Sequence, residues 1–254
     1  MSKKLYVLVV VILLFLIIVS LFFIIKPFFE KWEKQQEFFD TTEFVEDSRG
    51  ESGIEGNATL IEVPIDFQKL WETNTDVYAW ISIPGTNIDY PIVQNEDNTY
   101  YLNHTWDKKE YKAGSIFTET YNHKSFEDPN TVIYGHRMYA GDMFAMLQNF
   151  SEADFFDKNR YFYIYTPASI LTYEIVAAVP FSDRHLLFEY NFADGEDFDR
   201  FCNDVFSTVD FRACFLEETE LRYGEDRLVT LSSCLKGNSN KRYLVIGRLI
   251  SEEK

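Results

Sequence analysis

The sequence predicts a mostly β domain with a few helices, folded as an antiparallel barrel or sandwich behind an N-terminal membrane span. Three observations lead there. Short runs rich in β-branched and aromatic residues recur between Ala79 and Ile250, separated by turn residues, while helical spacing shows in only a few places. Leu5 to Ile25 is apolar throughout apart from Tyr6 and Ser20. Arg227–Ile250 reads as a strand, a short loop and a second strand, and the rest of the chain is organised around that pair.

Taken in order, the apolar run comes first. At 1.5 Å per residue it is long enough to cross about 30 Å of hydrocarbon. The following Ile24-Ile25-Lys26-Pro27-Phe28-Phe29 offers no small-residue cleavage site, so a retained anchor is expected rather than a removed signal peptide. Lys3 and Lys4 precede the run and Lys26, Lys31 and Lys34 follow it, so flanking charge does not fix the orientation. The expected organisation is a cytoplasmic tail at 1–4, a single-pass anchor at 5–25, an acidic stalk at 26–65 and an extracytoplasmic domain at 66–254.

Within that domain, Asp66–Thr73 places Phe67, Leu70 and Trp71 at helical spacing behind a capping aspartate. Ala79–Ile83, Tyr90–Val93, Ser115–Phe117, Thr131–Tyr134, Tyr161–Tyr165 and Ile170–Val179 follow as strands, interrupted by helices near Asp142–Phe150 and Asp197–Ser207. In the closing pair, Arg227–Cys234 and Arg242–Ile250 are strands, and Leu235–Lys241 is the turn, rich in Gly, Asn and Ser. No repeat and no low-complexity tract interrupts the order.

Charge removes one class of function. With 41 acidic against 24 basic residues the net charge is −17, and a face for nucleic acid needs clustered Lys and Arg. No spacing of His, Cys, Asp and Glu reads as a metal site, and Glu217, Glu218 and Glu220 read as a solvated face. No cofactor is expected.

The chemistry is sought at the cysteines. Cys202 shares a helical apolar stripe with Phe198, Phe201, Val205 and Phe206, and Cys214 sits between Phe211 and Phe215, so both read as small core residues. Cys234 differs: it ends a strand, and antiparallel pairing delivers Arg242 beside it, where a guanidinium stabilises a thiolate. Arg248 lies about 20 Å further along the second strand at roughly 3.3 Å per residue, and Lys241 points to the other face. His104, His123 and His185 sit in polar, turn-like surroundings that suit a solvated surface. His136 follows an apolar strand through Gly135 and can be aimed into a cleft.

These residues resemble the sortase family. Thr230-Leu-Ser-Ser-Cys234 with Arg242 after it and Tyr134-Gly-His136 before it is similar to the sortase pattern Thr-Leu-x-Thr-Cys with its histidine and arginine. Gly85–Gln94, Asp97–Leu102, Gly114–Phe117 and Asn130–His136 resemble the class B branch in particular. The likeness spans about Asp66 to Ile250. It implies an eight-stranded β-barrel with a helix between strands six and seven, with Cys234 as nucleophile, His136 as general acid and base, and Arg242 at the substrate carbonyl. Asn98, Leu102 and Ser232 match positions that line the sorting-signal groove. Ser233 stands for the usual Thr, Leu235 for a frequent acidic residue and Glu119 for a frequent Asp.

The implied reaction cleaves a C-terminal sorting motif after Thr through a Cys thioester. The acyl group then passes to an amine of a peptidoglycan cross-bridge or its lipid-linked precursor. Two other functions fit a membrane-anchored domain with one exposed thiol: a cysteine peptidase acting on cell-wall or surface peptides, and a non-enzymatic binding module.

Overall fold

A computed structural model describes residues 63–138 and 140–254. The anchor expected at 5–25 and nearly all of the stalk at 26–65 lie outside these residues. Among the described residues no helix is long and apolar enough to cross a membrane.

The domain opens with α1 (Phe67–Thr73), where the Asp66 carboxylate accepts from Lys69 N at 3.0 Å and caps the first turn. Phe67 and Leu70 are buried, and the Trp71 indole donates to Val77 O at 2.7 Å, fastening the helix to the first strand. The strands are β1 (Val77–Ser82), β2 (Asp89–Val93), β3 (Ile116–Thr118), β4 (Asn130–Tyr134), β5 (Tyr161–Tyr165), β6 (Ile170–Ser182), β7 (Cys214–Phe215), β8 (Leu228–Leu235) and β9 (Asn238–Glu253). Their order is β5-β1-β2-β3-β4-β8-β9-β6, and β5 pairs again with β6, so eight strands close into a barrel. The two-residue β7 hangs outside the ring on β6.

Three sequence expectations change. The barrel is not wholly antiparallel: β2 pairs β3 in parallel, and so does β4 with β8. Parallel neighbours need long crossovers, which the chain supplies between each pair, but residue alternation along a strand says nothing of its partner's direction. The turn expected at Leu235–Lys241 shrinks to Lys236 and Gly237, because Leu235 already faces Asn238. Gly237 has φ +81°, which a two-residue hairpin turn demands, and the polar Asn238 and Asn240 belong to an exposed strand start rather than to a loop. The helix expected near Asp142–Phe150 is a 3-10 run over Phe144–Ser151, stopped by extended Glu152 before α2 (Ala153–Lys158).

After β6 come α3 (Leu186–Glu189) and α4 (Gly195–Phe206). Asp194 caps α4 by accepting from Glu196 N and Asp197 N at 2.9 and 3.1 Å. The apolar stripe of α4, Phe198, Phe201 and Val205, covers the outer barrel face built from Val132, Leu228, Leu244, Ile246, Ala177 and Val179. Tyr134 and Phe181 pack at the margin of that covered patch. Since side chains two apart share a face, the next outward residues along β4, β8 and β9 are His136, Cys234 and Arg242. The helix therefore stops short of the row that matters.

Gly135 sits between that row and the wall behind it. A Cβ there would lie 2.5 Å from Ile116 Cδ1 and 2.6 Å from Phe144 Cδ2. Gly135→Ala is expected to cost about 1–3 kcal/mol through overpacking and to displace His136. A urea titration reads the first effect and a peptide-cleavage rate the second; unchanged midpoint and rate would show that the wall yields freely.

Candidate active site

The site follows from strand register. Along the parallel β4–β8 pair, Tyr134 faces Ser232, and Gly135 N donates to Ser232 O at 3.1 Å as the last rung. Two residues past Tyr134 is His136, and two past Ser232 is Cys234, so the imidazole and the thiol leave adjacent strands at the same level. Neighbouring strands lie about 4.8 Å apart. On the other side of β8, Cys234 faces Arg242 of β9 directly, and Arg242 Nη1 donates to Cys234 Sγ at 3.7 Å. Histidine, cysteine and arginine thus form one row across three strands.

The ring of His136 is held from outside the row. Its Nε2 lies 2.8 Å from Leu102 O. A carbonyl oxygen only accepts, so Nε2 carries the proton and Nδ1 is the nitrogen left for proton exchange. Leu102 ends a 3-10 turn over Tyr100–Leu102, which is fixed by Ser115 N donating to Tyr101 O at 3.0 Å. The carbonyl of His136 in turn accepts from Phe144 N at 3.0 Å, so both ring and backbone of the histidine are tied.

The other expected groove residues have mixed fates. Ser232 is buried directly beneath the row, and its neighbour Ser233 has a buried hydroxyl with no partner among the described residues. Leu102 is exposed and contributes its carbonyl to His136. Asn98 uses its side-chain oxygen to accept from Thr120 N at 2.8 Å, which ties the β2–β3 connection to the end of β3. Arg248 pairs with Glu174 at 2.9 Å, outside the row. Cys202 packs against the core under α4, where burial pushes its thiol up to about 12. Cys214, on β7, is likewise raised by burial. All three cysteines are free thiols.

His185 departs from the solvated role expected for it. Its Nε2 lies 2.9 and 2.8 Å from the two oxygens of Glu119, and its ring stacks on Phe188 at 4.1 Å. Tyr134 stands next to this pair, 6.0 Å from the His185 ring. Burial, with the charge of Glu119, holds the Tyr134 phenol well above its ordinary range, and the charge of Arg242 opposes that shift. Tyr134 therefore senses both the Glu119 carboxylate and the arginine of the row. Face parity places Tyr134 beside His136, but residues 66 apart in sequence give no sign that Glu119 and His185 meet.

Comparison with known proteins now decides the family. The sortase domain family model matches residues 81–250. Sortase B of Listeria monocytogenes is 33% identical over 193 residues, covering 75% of this chain and 76% of the relative. The chain belongs to the sortase family. Sortase B of Clostridium perfringens superposes with TM-score 0.65 at 31% identity, covering 73% of this chain and all of that one. The B. anthracis sortase B, solved in complex with AAEK1, gives TM-score 0.69 at 26% identity, over 85% and 99% of the two chains. The relatives are class B sortases, which makes this chain a cysteine transpeptidase of that class. Among the described residues of this sortase, no group of three His, Cys, Asp or Glu is placed to hold a metal ion.

The three thiols are expected to separate on alkylation. At neutral pH a thiol near pKa 12 is ionised to only about one part in 10⁵. Iodoacetamide on the folded protein should modify Cys234 at least tenfold faster than Cys202, as read by peptide mass mapping. Equal rates would mean that the row does not activate its sulfur.

Proposed function

We propose that this sortase cleaves a C-terminal sorting motif after threonine and transfers the acyl group to an amine of cell-wall peptidoglycan or of its lipid-linked precursor. The His136–Cys234–Arg242 row is the observation that carries this reading. In it, His136 Nδ1 takes the Cys234 proton, and the sulfur bonds to the threonine carbonyl carbon while Arg242 donates to the oxygen as negative charge gathers there. The carbon–nitrogen bond then breaks, and His136 delivers a proton from Nδ1 to the departing amine. An incoming amine gives its proton back to His136, bonds to the carbonyl carbon and expels the thiolate.

Ser232 and Leu102 supply the groove beside the sulfur, and Asn98 supports its wall through Thr120. The run at 5–25 anchors the enzyme in the cell membrane as a single pass, with the domain outside, where both substrates are met. A cysteine peptidase is the second reading. The end of β8 argues against its common form, in which a helix N-terminus lowers the thiol pKa.

Fluorogenic peptides with a Thr–Gly or Thr–Asn bond, incubated with and without an oligoglycine amine, test the reading. A ligated product is expected with the amine, and slow hydrolysis without it. Cys234→Ala should abolish both, and His136→Ala should lower the rate about 10²–10⁴-fold. Arg242→Lys should lower it about 10²–10³-fold, because a point charge lacks the forked donors. Hydrolysis that ignores the added amine would assign the chain to peptidases instead.

A further inference from the structure

A second concavity is left unused by this reaction. It is a pocket of about 460 Å³ between the β3–β4 connection, with Tyr121 and Asp128, and the α3–α4 segment, with Phe188 and Glu189. Its mouth is aromatic: Tyr121 is 55% and Phe188 68% exposed, and their rings meet edge to face at 5.1 Å. Two large rings side by side in water offer a flat apolar face to a ligand.

The walls carry carboxylates that are only half used. Asp128 Oδ2 accepts from Asn122 Nδ2 at 3.0 Å and His123 N at 2.7 Å, while Glu189 Oε1 accepts from Arg184 Nη1 at 2.7 Å. Asp128 Oδ1 and Glu189 Oε2 have no donor among the described residues. Arg200, outside the pocket, donates to Asp197 Oδ1 and to Glu189 O at 2.7 Å and braces that wall. Acid is thus balanced by Arg184 and Arg200, which makes the site poor for a bare cation. Open carboxylate acceptors and exposed rings together suit an uncharged polyhydroxylated ring, with hydroxyls on the carboxylates and C–H edges on the aromatic faces.

Distance connects this pocket to the thiol. Asn130 lines the pocket and begins β4, the strand that leads to His136. The separation along that strand is about 20 Å at roughly 3.3 Å per residue. A pentapeptide arm at 3.3–3.6 Å per residue covers about 16–18 Å of it, and an amine carried on an extended side chain covers the rest. We propose that the pocket binds the saccharide part of a peptide-substituted glycan acceptor while the acceptor's amine reaches Cys234. This rests on the transpeptidase reading above.

The test uses the full chain in detergent micelles with Tyr121→Ala and Asp128→Asn. Binding of a soluble disaccharide–pentapeptide to the Cys234→Ala protein, followed by calorimetry, should weaken about tenfold in either variant, with no turnover required. In the active enzyme, KM should rise about tenfold for the soluble disaccharide–pentapeptide, for the same unit on a lipid, or for both. Which one responds identifies the source of the glycan. KM for bare oligoglycine and the rate of sorting-peptide cleavage should stay unchanged. Unaltered binding and unaltered KM for both glycan acceptors would overturn the proposal. So would an equal loss with bare oligoglycine or with the sorting peptide, which would give the pocket to the peptide substrate or to folding. Failure of the parent enzyme to form any ligated product would instead count against the transpeptidase reading, and the binding measurement would still decide the pocket.

Discussion

The parallel pairing of β4 with β8 is the constraint on which this molecule depends. An imidazole and a thiol far apart in sequence meet because Tyr134 faces Ser232 and the ladder runs on to the Gly135–Ser232 rung. A slip of one residue would turn His136 to the barrel interior and remove it from the sulfur altogether. Register is held by burial on both faces: Val132 and Leu228 lie under α4, and Ile133 and Leu231 fill the inside. The β8–β9 hairpin adds the guanidinium through its tight turn at Lys236 and Gly237 and the register shift that follows it, which brings Arg242 opposite Cys234. The site is thus set by the barrel rather than by the loops around it.

Much of this was legible from residues alone. Strand content, the capping of α1, the amphipathic α4 and the contrast between Cys234 and the core-facing Cys202 all follow from spacing and burial preference. That Cys234 and Arg242 lie near each other was legible because a hairpin is local, but their register was not: beyond the Leu235–Asn238 pair the ladder shifts, and residues 239–241 intervene before Arg242 faces Cys234. The parallel β4–β8 contact was not, since pairing direction and crossover path are decided by tertiary packing. Residue composition also misread the start of β9, where the exposed Asn238 looks like loop yet pairs with Leu235. The closing of eight strands into a ring came from the family resemblance, not from periodicity.

Electrostatics of the site divide into a row and a flank. In the row, Arg242 is the fixed charge beside the sulfur, and the Leu102 carbonyl fixes which nitrogen of His136 holds its proton. On the flank, Glu119 and His185 form a half-buried pair, and Tyr134 senses the charges of both Glu119 and Arg242. A long-range pair of this kind leaves no trace in a single sequence. The same flank continues through Phe188 and Tyr121 into the second pocket, so the Glu119–His185 pair links the neighbourhood of the row to the candidate glycan pocket.

The register itself is the most direct thing to measure. In a His136→Cys variant, adjacent strands at one level place the new thiol within disulfide reach of Cys234, where Cα atoms need to be about 4.4–6.8 Å apart. Mild oxidation followed by peptide mass analysis is predicted to give a 136–234 bond, with Cys202 and Cys214 left as free thiols. A variant in which residue 136 stays reduced, or links to another cysteine, would contradict the placement of histidine beside sulfur and the mechanism built on it.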